Sequence, residues 1–216
     1  MSPATIGRLD AVCVVYADLP NIGRPVETTA IDKRPVTGPV EVQPLGLAGD
    51  HVCDTKNHGG LDQAVYAYAE DDAQRWGTEL GRALPAGWFG ENLRISGLAV
   101  SDAVVGAHWR IGDVVLEVTA PRIPCATFGR WSQERQWVKR FAARGDTGAY
   151  FRVVTTGSIT AGDEIVIDYT PAHGVTVRDL FDGTDPARME LLLAEQPDLS
   201  TDSFNRAKRH LERHRA

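Results

Sequence analysis

The stretch Trp109-Arg-Ile-Gly-Asp-Val-Val-Leu-Glu-Val-Thr-Ala-Pro-Arg-Ile-Pro-Cys125 decides how the chain is read. Gly112-Asp113 is a turn dipeptide, and the apolar, valine-rich run after it has the character of a buried strand. The same device recurs where Ala161-Gly162-Asp163 precedes Glu164-Ile-Val-Ile-Asp168, and two such units indicate a β-rich body. Pro121 and Pro124 each hold φ at about −65° and remove a backbone donor, so Cys125 leaves the sheet edge on a stiff, irregular turn. Arg122, three residues before the thiol, supplies the kind of positive charge that lowers a thiol pKa. A thiolate is both a nucleophile and a soft-metal ligand, and this stretch leaves the choice open.

Outward from there, strands are expected at 11–16 and 40–43, with Pro20, Gly23, Pro25, Pro35, Gly38 and Pro39 breaking the intervening chain into loops and brief strands. Helices are expected over 69–80, ended by Gly81, and over 131–144, where Trp137, Val138 and Phe141 fall at helical spacing. After Tyr169 the texture changes. Residues 170–174 read as a linker, and three helices follow. The first spans 176–181. The second starts at Asp185-Pro186, an N-cap beside a first-turn proline. The third is capped by Ser200 and turns Phe204, Ala207 and Leu211 inward. The expected fold is mainly β (α+β), with a β-barrel-like domain over 1–169 and a three-helix segment over 174–216. So few helical residues bury little alone, so the tail should dock on the body or on a second subunit, which makes a homodimer an expectation.

Composition narrows the function. With 216 residues, 43% hydrophobic and 24% charged, the chain is long enough for one good core. No apolar stretch approaches the roughly 18 residues that span a bilayer, and residues 1–10 lack the basic flank and hydrophobic segment of a secretory signal. Cys13, Cys53 and Cys125 are odd in number and widely spaced, which fits a reducing, cytoplasmic setting better than a disulfide framework. A formal charge of −6 argues against a general nucleic-acid binder. Arg206, Lys208, Arg209, Arg213 and Arg215 lean the other way and read as the solvated face of the last helix.

Several clusters could carry chemistry. Residues 46–65 are dense in metal-ligating and anion-binding groups: Asp50, His51, Cys53, Asp54, His58 and Asp62, with Gly59-Gly60 allowing close backbone approach. One reading is a hydrolytic zinc site on His51, His58 and a carboxylate, although the spacing matches no standard zinc motif. Lys33-Arg34 puts adjacent cations on a Pro-bounded segment and suits a phosphate. Glu91-Asn92 offers donors and acceptors to a heteroaromatic edge, or simply caps a turn. Dinucleotide fingerprints, Walker loops and nucleophile elbows are absent from the sequence.

These strings, in their order, resemble the MOSC family, named for the C-terminal domain of molybdenum cofactor sulfurase, and within it the stand-alone bacterial YiiM-type members. The matching pieces are Thr29-Ala-Ile-Asp-Lys-Arg-Pro-Val36, Gly46-Leu-Ala-Gly-Asp50, His58-Gly-Gly-Leu-Asp62 with Ala64-Val65, Phe89-Gly-Glu-Asn-Leu93, Ile111-Gly-Asp113, Pro121-Arg-Ile-Pro-Cys125 and Gly148-Ala-Tyr-Phe-Arg-Val153, continued through 157–163. The resemblance covers nearly the whole chain. It implies a β-barrel-like fold holding the molybdenum cofactor (molybdopterin), with two sulfurs from the pterin and a further thiolate from Cys125 as metal ligand and catalytic residue. It further implies that Lys33, Arg34, Arg122 and Arg152 meet the cofactor's phosphate, that His58, Gly59, Gly60 and Asp62 shape the pocket wall, and that Glu91 and Asn92 bond the pterin or substrate. The implied reaction is reduction of a small N-hydroxylated compound, such as a hydroxylaminopurine or amidoxime. Its electrons would come from a separate donor protein, because no flavin, haem or iron–sulfur motif is apparent in the sequence. A cofactor carrier or sulfur-transfer module holding a persulfide on Cys125 is the alternative. Cys13, in an apolar strand, reads as inert core.

Overall fold

The computed structural model describes residues 6–23, 26–56 and 58–215; residues 1–5, Pro25 and Asn57, all part of the reading above, lie outside them. Strand β1 (Ile6–Pro20) is long and bulged and pairs antiparallel with β2 (Thr28–Pro35). Short strands β3 (Val40–Gln43) and β4 (Gly46–Leu47) follow. Strand β5 (Val65–Ala69) runs directly into helix α1 (Glu70–Leu80), and β6 (Leu93–Ser96) returns parallel to β5. Strands β7 (His108–Ile111) and β8 (Val114–Pro121) form the hairpin turned at Gly112-Asp113. Helices α2 (Ala126–Ser132) and α3 (Trp137–Arg144) lead to β9 (Ala149–Thr155), to β10 (Gly157–Ile159), which pairs with β3, and to β11 (Glu164–Tyr169). Helices α4 (Val177–Asp182), α5 (Pro186–Glu195) and α6 (Thr201–Arg215) end the described chain.

Seven strands close into a mixed barrel in the order β1-β6-β5-β9-β8-β7-β11, and β11 pairs back onto β1 with Ile6 opposite Val166. Closure removes the open edges that would otherwise template aggregation; β2 extends the sheet beyond β1. Strand β5 explains why the barrel has two cores. All five of its side chains are buried, and strand alternation sends Val65, Ala67 and Ala69 into the barrel while Tyr66 and Tyr68 point outward. The two tyrosines found a second, aromatic core with Trp76, Trp88, Phe89, Phe128, Trp137 and Phe141, roofed by α1, α2 and α3. Tyr68 stacks on Phe89 at 4.0 Å between ring centroids, and Trp76 meets Trp137 at 4.4 Å.

The expected helix over 131–144 is two helices. Gln133 and Gln136 adopt left-handed backbone (φ 58° and 53°), and the first of them closes α2. The tail helices share the barrel's core through Leu180, Met189, Leu192 and Ala207. Thr176 and Asp179 form a reciprocal capping box on α4, and the Asp185 side chain accepts from the Ala187 N–H to start α5. On α6 the inward stripe is Ser203, Ala207 and His210, while Phe204 stays 39% exposed. Two polar residues hold that stripe. Ser203 Oγ donates to the Thr119 carbonyl (2.8 Å) and His210 Nε2 to the Leu180 carbonyl (3.0 Å).

One buried ion pair braces the turn between α1 and β6. Glu91, with 0% exposure, accepts from the Gly87 and Phe89 N–H groups at 2.8 and 2.9 Å and from Arg94, itself 2% exposed. Arg94 also reaches Glu70 at 2.9 Å. Glu91→Gln leaves the buried guanidinium undercompensated and should cost about 3–5 kcal/mol by urea unfolding; a loss below about 1 kcal/mol would show that Glu70 and water suffice. Gly183 sits at φ +59°, and a Cβ there would collide with the His210 ring. Gly183→Ala should therefore loosen α6, lowering thermal stability by about 1–3 kcal/mol and exposing the tail to limited proteolysis.

Candidate active site around Cys125

The end of β8 delivers Cys125 to a cleft of about 130 Å³ that opens beside the aromatic core. The residue is the N-cap of α2, with extended backbone (φ −121°, ψ 171°), so the positive end of that helix faces its side chain. Burial alone would push the thiol pKa up. Hydrogen bonding from His58, the charge of Arg122 and the Phe128 N–H aimed at the sulfur outweigh it, and the thiol comes down from 9.0 to about 6. The other two cysteines go the opposite way. Cys13 is fully buried, and burial pushes its thiol up to about 12; Cys53 is also raised, chiefly by burial.

Arg122 is itself buried, with 7% exposure. Its guanidinium carbon lies 3.6 Å from the centre of the Phe128 ring and within 6 Å of Tyr66 and Phe141, whose ring faces offset part of its desolvation. Nη1 is buried without a hydrogen-bond partner among the described residues. A buried guanidinium N–H left idle is costly, and an acceptor supplied by a ligand would relieve it. Tyr66 and Tyr150, 5.1 Å apart between ring centroids, form the wall beside it.

Lys33 enters the cleft from β2 and pairs with Asp50, both side chains nearly buried. Asp50 is held in turn by the Val15 N–H (3.0 Å) and by Asn92 Nδ2 (2.8 Å). Asn92 is fully engaged, since Oδ1 accepts from the Tyr66 N–H and Nδ2 also reaches the Cys13 carbonyl. Its amide therefore supports the cleft from behind and does not line it. Glu91 is likewise spent on Arg94 and the 87–89 turn. Its neighbour Gly90 reaches the cleft.

Of the anticipated site residues, the cleft brings together Cys125, His58, Arg122 and Lys33. Arg34 lies elsewhere: adjacent residues of a strand face opposite sides, so Lys33 inside places Arg34 outside. There it pairs with Asp32 at 3.0 Å and stacks over Tyr16, 54% exposed. Asp62 and Arg152 bond each other at 2.8 Å away from the cleft, and Arg152 also approaches Glu117. Gly59 and Gly60, both at φ 78°, turn the loop that follows His58. The zinc reading changes its ligands. His58 serves Cys125, while the one described group of three ligand atoms within 4.8 Å of each other is Asp18, His51 and Cys53 at the rim. Cleft residues not singled out from sequence include Tyr66, Tyr150, Asn21 and Thr127. Strand alternation in 65–69 carries the signal for Tyr66; Asn21, which accepts from Thr127 at 3.2 Å, has no local signal.

Alkylation of the cofactor-free protein by iodoacetamide, read by peptide mass spectrometry, should modify Cys125 with a midpoint near pH 6 and leave Cys13 and Cys53 unmodified there. His58→Ala should raise that midpoint by about one pH unit or more. Because the folded-state value lies below the ordinary one, ionised Cys125 stabilises the fold fully above pH 9 and ceases to do so as pH falls through about 6.

The family model for the MOSC domain matches residues 54–166. The uncharacterized protein YflK of Bacillus subtilis is 30% identical over 178 residues, 80% of this chain and 80% of its own. A protein named reductase from Gibberella moniliformis is 33% identical over 142 residues, 64% of this chain; the match spans only 25% of that protein. The crystal structure of YiiM from Geobacillus stearothermophilus superposes with a TM-score of 0.77 at 26% identity, covering 95% of this chain and 99% of that one. In matched residues, barrel closure and peripheral helices alike, the chain belongs to the MOSC domain family.

Proposed function

We propose that the protein holds the molybdenum cofactor in the Cys125 cleft and reduces small N-hydroxylated compounds, of the hydroxylaminopurine or amidoxime type, with electrons from a separate donor protein. The observation that carries this reading is the low-pKa thiol of Cys125 beside a buried guanidinium with an idle N–H. MOSC domains are associated with molybdenum-cofactor binding, and one relative bears the name reductase. The donor set suits such a group. A thiolate is a soft ligand for a soft metal, and Arg122 offers an unpaired donor to an anionic or carbonyl oxygen. Residues Cys125, Arg122 and Lys33 would hold it.

When bound, the cofactor would supply two-electron redox chemistry. The chain's own residues do the rest. Cys125 Sγ would hold the metal, and the His58 hydrogen bond favours the ionised sulfur. Lys33 Nζ, fixed through Asp50 and Asn92, presents N–H donors in the cleft, and Tyr66 and Tyr150 supply aromatic lining. Converting N–OH to N–H consumes two electrons and two protons and releases water. His58, in contact with the sulfur and on the cleft wall, is placed to pass protons.

Purified from a host that makes the cofactor, the wild type should carry about one molybdenum per chain and Cys125→Ala about a tenth of that or less. Equal molybdenum in the two would overturn the ligand role. A Cys125 peptide heavier by one sulfur atom, in protein inactive on N-hydroxylated substrates, would replace this reading with sulfur transfer.

A further inference from the structure

We propose that Arg206 and Arg209 of α6 form an anion subsite, next to the Cys125 cleft, for the phosphate group of a phosphorylated ligand. A second cavity of about 150 Å³ lies between α6, the end of β8 and the loop after His58. Arg206, Arg209, Ser203, Asp202 and Gln63 line it, and it shares His58 and Tyr150 with the cleft. Charge patterning alone puts these arginines on a solvated helix face. The docking of α6 instead draws Arg206 partly under cover. Its described hydrogen bond is from Nη1 to the Phe181 carbonyl (3.3 Å), and neither Arg206 nor Arg209 forms a salt bridge among the described residues.

The local charge is unbalanced. Arg209 and Arg213 repel Arg206, and Asp202 is the carboxylate that acts on it. Asp202 also accepts from Gln63 Nε2 at 3.3 Å, which leaves Gln63 Oε1 buried without a donor. The two arginine charges exceed the single Asp202 carboxylate on the lining, so an anionic phosphate would suit it, with guanidinium forks fitted to its oxygens, and an O–H of the ligand would satisfy Gln63. Because His58 and Tyr150 border both cavities, a ligand with its phosphate on α6 would extend toward Cys125. The phosphate has two sources of the same chemistry: a nucleotide-like form of the substrate, or the cofactor itself. The subsite stands on the geometry of α6 and does not depend on the redox reading.

The test is isothermal titration of the full chain, free of cofactor, with AMP and adenosine as probes. Wild type should prefer AMP by about 100-fold, and Arg206→Gln and Arg209→Gln should each remove about tenfold of that preference. Arg215→Gln, on the same helix but outside the cavity, should keep it. Arg209 is exposed, so its variant remains informative if Arg206→Gln fails to fold. Equal affinity for AMP and adenosine, or a preference unmoved in Arg209→Gln, overturns the proposal. Pterin and molybdenum content of the variants from a cofactor-competent host then separates the sources. A drop assigns the phosphate to the cofactor, and unchanged content with lost AMP preference assigns it to the substrate. Failure here leaves the molybdenum content of Cys125 variants as it was, so the two readings fail separately.

Discussion

Strand β5 has no side chain facing water, and most of the structure answers to that constraint. A five-residue strand buried on both faces needs two apolar surroundings, one on each side. The closed barrel provides the first around Val65, Ala67 and Ala69. The second had to be recruited from outside the sheet, and α1, α2 and α3 supply it with large rings. The tyrosine hydroxyls are then placed where backbone acceptors exist: Tyr66 donates to the Thr147 carbonyl and Tyr68 to that of Asp146. Those bonds tie the start of β9 to β5.

The chemistry of the cleft inherits this arrangement. The rings of Phe128, Tyr66 and Phe141 surround the buried Arg122 guanidinium, which acts with the His58 hydrogen bond to lower the pKa of the neighbouring thiol. On the facing side, Asn92 links β5 and β1 through one amide and passes its last hydrogen bond to Asp50, which positions Lys33. Phe128, Phe141, Asn92 and Asp50, which do not line the cleft, thus help to set both of its walls. Such supporting contacts decide how rigidly the lining side chains are held.

Much of this was legible where the signal is local. The β7–β8 hairpin, the stiff turn to Cys125 and the Asp185-Pro186 helix start each rest on a few consecutive residues whose backbone preferences are strong. Arg122 lay three residues from the thiol and could be paired with it on sequence alone. The separation of Lys33 from Arg34 follows from strand alternation, but only once 28–35 is known to be a strand, and its charges and terminal Pro35 obscured that. Other features are non-local. Asp62 and Arg152 are 90 positions apart, and each looks like a free pocket group until its partner is seen. Gln133 and Gln136 take a left-handed backbone without the glycine that would announce it. The inward stripe of α6 is partly polar, so a search for apolar periodicity lands on Phe204.

The pairing of Ile6 with Val166 has a consequence for how the molecule comes into being. The pairing that closes the ring joins residues 160 positions apart, so the barrel is completed by a contact far less local than the β7–β8 hairpin. Without that contact the first residues of β1, Ile6–Arg8, lack their β11 partner. Lys33 and Cys125, 92 positions apart in the chain, likewise meet in one cleft only when distant parts of the sheet have come together. Whatever fills that cleft is therefore recognised by the assembled fold and not by any one local segment of chain.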